Sequence, residues 1–131
     1  TQMFTSQLYS KLEENNDNKN GVMKWSRNKE IFNKKIVFIP IEKGLHWVLC
    51  VVINPGMIHN NTSLNHNNIE ITYVLLFNSL RTHYSENSIQ KILNNIKRWL
   101  NCVYKCEYPH KFQDEDCTIF DKIKIYQPVG K

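Results

Sequence analysis

The chain has 131 residues, 41% of them apolar, with 17 basic and 12 acidic side chains. That length suits one small domain with a core of its own. The net charge of +5 is spread evenly, with eight basic and five acidic groups in residues 1–66 and nine and seven in residues 67–131. There is no basic tail, so nucleic acid is not the expected partner, and modest positive charge fits an acidic protein surface better.

The sequence holds no signal peptide and no apolar span of about 18 residues, so no membrane anchor is expected. It opens at Thr1 without a methionine and stops at Lys131, as an excised or processed piece of a longer protein would.

Phe4, Leu8 and Leu12 recur at helical spacing, and Tyr9 widens the apolar face. This predicts a helix over Thr5–Glu14, with Thr5 or Ser6 in its first turn. A polar, Asn-rich loop follows at residues 15–21, expected to be flexible. Met23 and Trp25 lead the chain back to the core, where Trp25 reads first as a packing residue.

Two short apolar runs, Ile36–Ile41 and Trp47–Ile53, predict a pair of strands around a polar turn holding Glu42, Lys43 and Gly44. Pro40 is expected to end the first, because proline gives no ladder donor. Asn54-Pro55-Gly56 is a strong turn signal. Residues 57–68 read as a solvated, flexible insertion containing His59 and His66, part of a bias that gives the chain seventeen asparagines.

Ile69–Phe77 is the next predicted strand, and its continuous run Val74–Phe77 suits a strand covered on both sides. Ile89, Ile92, Leu93, Ile96, Trp99 and Leu100 form one stripe of a helix over Glu86–Cys102. Val103–Tyr108 reads as extended. A third flexible loop, 109–121, carries the acidic cluster Asp114-Glu115-Asp116, and Ile123–Tyr126 alternates as an edge strand. Together these give an α+β fold, a small mixed sheet flanked by helices.

The four cysteines are Cys50, Cys102, Cys106 and Cys117. Cys50 sits inside an apolar strand as a small core residue. Cys102 and Cys106 could share a helix face, and His110 and Cys117 could complete a zinc set, but reduced thiols are the preferred reading. No metal and no cofactor is expected.

His46 opens one central strand and Asn78 closes the next strong one. An Asn acceptor fixes the tautomer of a histidine base and leaves its other nitrogen facing a nucleophile. Gln127 could donate an amide hydrogen bond to an oxyanion. Against this stands the plain reading of a surface His, a helix-capping Asn and an edge-strand Gln.

Phe4-x-Ser6-x-Leu8-Tyr9-x-Lys11-Leu12, Trp25, Ile31-Phe32, Ile36-Val-Phe-Ile-Pro-Ile with Leu45-His46-Trp47, and Leu75-Leu-Phe-Asn78-Ser79-Leu80 together resemble the Ulp/SENP (C48) cysteine proteases. That family removes SUMO and related ubiquitin-like proteins. The likeness covers nearly all of the chain outside the Asn-rich insertions. It points to the amino-terminal part of the catalytic domain, nearer the branch of Ulp2 and the sentrin-specific proteases 6 and 7.

The resemblance implies an incomplete papain-like, Ulp1-type fold and assigns roles by position. His46 would be the general base, Asn78 its orienting partner and Gln127 the oxyanion-hole donor. Trp25 and Trp47 would line the slot for a substrate's Gly-Gly tail. Asn78 departs from the family's Asp: it can orient an imidazole but brings no full negative charge.

The family's Asp-Cys-Gly is missing. Asp116-Cys117 is followed by Thr118, so the nucleophile is expected beyond Lys131 or on another chain. The expected partners are SUMO or a related modifier and a complementary carboxy-terminal protease segment. The chain alone is expected to be inactive, and its expected location is the nucleus, with the cytoplasm second. The alternative is a degenerate, non-catalytic module that binds a ubiquitin-like protein.

Overall fold

The structure, a computed structural model, describes residues 1–14, 29–43, 46–62, 70–78, 86–113 and 115–128. Trp25, His66 and the loop at 15–21 therefore lie outside the described residues.

A mixed five-stranded sheet runs β1-β2-β3-β4-β5 in chain order. Its strands are β1 (Gln2–Met3), β2 (Ile36–Lys43), β3 (His46–Ile53), β4 (Tyr73–Asn78) and β5 (Lys124–Tyr126). β2, β3 and β4 are antiparallel neighbours, and each edge strand joins in parallel, β1 on β2 and β5 on β4. The mixed α+β architecture expected from the pattern is present.

Helices α1 (Gln7–Glu14) and α2 (Glu86–Glu107) share one buried core with the sheet. Val37, Ile39, Ile41, Val48, Cys50, Val52, Val74 and Leu76 alternate along β2 to β4 and are all buried on one face. Phe4 meets Trp99 of α2 edge to face, 5.5 Å between ring centroids. The buried Asn95 amide donates to the Tyr9 hydroxyl at 3.1 Å, tying α1 to α2. Burial pushes the Tyr9 pKa up, and the Asn95 hydrogen bond partly opposes it.

Three boundaries differ from the sequence reading, each for a physical reason. α2 runs on to Glu107, because Val103 and Tyr104 are buried and continue the stripe of Ile96, Trp99 and Leu100. It ends just before Pro109, which cannot donate to the helix. Pro40 does not stop β2, which continues to Lys43 paired with β3 alone at that end.

β4 starts only at Tyr73. Immediately before it, the Asn61 side chain accepts from the Thr72 N–H at 2.9 Å and donates to the Thr72 carbonyl at 2.8 Å, which occupies the groups a ladder would need. Asn61 belongs to a 3-10 helix over Pro55–Thr62, whose Ile58 is buried. Asn60 also donates to the Glu70 carbonyl at 2.8 Å. Two of the asparagines in the stretch read as an insertion are thus structural clamps.

The predicted turn at 54–56 is tight. Asn54 takes a left-handed φ of 50° and its N–H closes on the Lys35 carbonyl at 2.7 Å. A Cβ on Gly56 would overlap the backbone carbonyl of Phe32, so only glycine fits there.

Candidate active site

The antiparallel register of β3 and β4 pairs Val48 directly with Asn78. Position 46 lies two residues earlier in β3. With a side-chain period of two, positions 46, 48 and 78 belong to one face of the sheet. Positions 46 and 78 are then diagonal neighbours, roughly 7–8 Å apart in a regular sheet.

Gln127 follows β5 directly, and β5 runs parallel to β4 with Tyr126 beside Leu75. The carboxyl ends of β4 and β5 and the amino end of β3 therefore lie at one end of the sheet. His46, Asn78 and Gln127, far apart in sequence, stand at that same end. Asn78 is half-buried and Gln127 is exposed.

Trp47 belongs to the opposite face and is 52% exposed. It lines a groove of about 410 Å³ with Pro40, Val48, Leu49, Phe77, Asn78 and Pro128. Asn78 is the one polar residue in that lining; it and Val48 belong to the sheet face opposite that of Trp47, Leu49 and Phe77. A larger cleft of about 520 Å³ lies between α2 and the segment 116–121. Cys102, Asp116 and Cys117 line it, but His46, Asn78, Gln127 and Trp47 do not.

The cysteines stand apart from this end. Cys50 is fully buried between β2 and β4, and burial pushes its thiol up to about 12. Cys117 is buried beside α2, its thiol donating to the Asn101 carboxamide oxygen at 3.7 Å. Desolvation raises its pKa too, against the pull of the Ile119 backbone N–H. Cys102 and Cys106 both lie on α2, and all four cysteines are free thiols. A catalytic thiolate needs a lowered pKa, and neither Cys50 nor Cys117 has one.

Among the described residues no group of three or more His, Cys, Asp or Glu side chains is placed to hold a metal ion. No helix among them is long and apolar enough to cross a membrane.

The groove's aliphatic wall was not singled out in the sequence. Leu49 read there as strand interior, Pro40 as the end of the first strand and Phe77 as the end of the strand before Asn78. The signal was the continuous apolar run in each strand, which leaves apolar residues on both faces.

Residues 1–127 match the Ulp1 protease family, C-terminal catalytic domain. The chain is 34% identical to ubiquitin-like-specific protease 2 of Saccharomyces cerevisiae over 95 residues, covering 63% of this chain and 9% of that protein. Among solved structures, a de-sumoylating protease superposes with a TM-score of 0.70 at 28% identity, over 99% of this chain and 44% of that one. The SUMO protease Ulp1 with its catalytic cysteine oxidised to a sulfonic acid gives a TM-score of 0.57 at 18% identity, covering 96% and 46%. The chain thus spans less than half the length of these solved relatives.

Proposed function

The chain belongs to the Ulp1 protease family, and from that premise we propose that it is the His-bearing part of a thiol protease that cleaves after the Gly-Gly end of SUMO or a related modifier. The observation that carries this is the β3–β4 register, which makes positions 46 and 78 diagonal neighbours on one face. In this reading the whole of 1–131 is one partial protease domain, acting in the nucleus.

His46 takes the proton of a cysteine supplied by a complementary segment, and Asn78 accepts from the imidazole to hold it in the productive tautomer. The thiolate attacks the carbonyl after the second glycine, and Gln127 donates to the oxyanion that forms. His46 then returns the proton to the leaving amine, and water releases the acyl-enzyme. Trp47, with Trp25, walls the passage for the tail, where glycines pass and larger side chains clash. The raised pKa values of Cys50 and Cys117 support the view that neither of these thiols is the nucleophile.

A non-catalytic reading is favoured by one residue, Asn78 in place of the family's Asp. The test compares fluorophore release from a SUMO conjugate by the chain alone and by the chain mixed with the portion of the de-sumoylating protease that it does not cover. Turnover only in the mixture, lost when the substrate's Gly-Gly is changed to Ala-Ala, is expected. SUMO binding without any turnover in the mixture would overturn catalysis and leave a binding module.

A further inference from the structure

Beside the apolar stripe of α2, one polar residue is buried: Asn101, 7% exposed. A buried carboxamide costs free energy unless its polar atoms are paired. Both the oxygen and the nitrogen of Asn101 are paired, and their partners lie in one stretch of chain, residues 117–121. The oxygen accepts from the Phe120 N–H at 2.8 Å and from the Cys117 thiol at 3.7 Å. The nitrogen donates to the Asp121 carboxylate at 2.8 Å.

That stretch leads into β5. The Asp121 N–H closes a turn on the Thr118 carbonyl at 3.0 Å, and the Ile123 N–H closes the next on the Phe120 carbonyl at 3.3 Å. β5 then runs for three residues at the sheet edge, with Lys124 and Tyr126 exposed, and Gln127 follows it. A strand so short, paired on one side, opens easily if only its own ladder holds it. Phe120 and Ile123 are buried and tie the stretch to the core, but apolar contact has no direction. Hydrogen bonds have direction, and those of Asn101 fix the stretch against a rigid helix. The ion pair of Lys105 and Asp116, 3.6 Å, also joins α2 to this region. Asp116 is 89% exposed, so that pair holds little.

We propose that Asn101 is a positioning residue: through residues 117–121 and β5 it fixes where Gln127 stands beside the carboxyl end of β4. The proposal rests on the oxyanion role proposed above for Gln127. Asn101 lies in the cleft with Cys102 and Cys117, not in the groove beside Trp47, so it acts through β5 rather than by contact with substrate. A donor stabilises an oxyanion only within hydrogen-bond reach of the place where charge develops. A shift of about 1 Å is enough to lose much of that effect.

Backbone amide exchange of the full chain, followed by mass spectrometry, reads the anchor itself. Asn101→Ala should speed exchange in residues 117–127 by about tenfold or more and leave β2 and β3 unchanged. Unchanged exchange in that stretch would overturn the proposal. If Asn101→Ala does not fold, Asn101→Asp serves. It keeps an acceptor for the Phe120 N–H and sets two carboxylates against each other at Asp121. Adding Asp121→Asn returns a donor to that contact and should restore wild-type exchange.

Initial rates on a SUMO–fluorophore conjugate read the consequence, in the mixture of this chain with the portion of the de-sumoylating protease that it does not cover. Asn101→Asp should lower kcat about tenfold at unchanged KM, and the added Asp121→Asn should recover it. Asp116→Ala should change neither constant. In a Gln127→Ala background, Asn101→Asp should cost nothing further. An equal loss in both backgrounds would mean that Asn101 does not act through Gln127 and would overturn the proposal. No turnover from the wild-type mixture would sink the function proposed above and leave amide exchange to decide the anchor.

Discussion

Single residues show how environment decides chemistry. Cys50 is a thiol that the fold keeps protonated: burial moves its pKa from 9.0 to about 12. The unfolded chain loses that proton first as pH rises, so the unfolded state binds fewer protons between those values. Stability from this group is complete below pH 9 and is lost at about 1.4 kcal/mol per pH unit above it. Urea midpoints at pH 8, 9.5 and 10.5 should fall more steeply for the wild-type chain than for Cys50→Ala, which removes one titrating proton. Equal slopes would mean that Cys50 is not the sealed thiol described.

Asn78 is the residue on which rate should turn. A carboxamide can orient an imidazole but cannot stabilise imidazolium with a full charge. In the complemented complex, Asn78→Asp should raise kcat/KM at least tenfold at unchanged KM, measured by initial rates on a SUMO–fluorophore conjugate. The sequence made this residue visible by its place at the end of an apolar run. It could not show that Val48 is its direct partner, because register depends on how the strands align.

At the scale of elements, long periodic patterns were readable and side-chain clamps were not. The apolar stripe of α2 marked the helix, and only its end was misplaced, where Val103 and Tyr104 mimic strand alternation. The start of β4 depends on Asn61, ten or more residues away in sequence, whose carboxamide closes on both backbone groups of Thr72. No local pattern encodes such a contact, and a run of asparagines looks like a loop. Asn61→Ala leaves a buried residue's backbone groups unpaired and should cost about 1–3 kcal/mol by urea denaturation. Asn60→Ala, which frees only the exposed end of that contact, should cost less.

Gly56 makes the same point about turns. Its identity as a turn residue was plain, but its close approach to the Phe32 carbonyl was not. Gly56→Ala must push backbone against backbone, so a loss of about 1–3 kcal/mol is expected from the thermal midpoint. A neutral substitution would show that the 3-10 turn at Ile31–Asn33 does not press on it.

At the scale of the molecule, the fold gathers one end of three strands. The amino end of β3 and the carboxyl ends of β4 and β5 bring His46, Asn78 and Gln127 to the same edge. The architecture was legible in the sequence because apolar runs and one amphipathic helix suffice to name it. The open sheet face was half legible: the continuous runs said that both faces want cover, but not which face α1 and α2 would take.

The most direct test of the central claim is the hydrolysis rate of the complemented complex with His46→Ala. If His46 is the general base, kcat should fall by about 10³-fold or more while SUMO affinity holds. A variant that turns over SUMO conjugates at the wild-type rate would contradict the account.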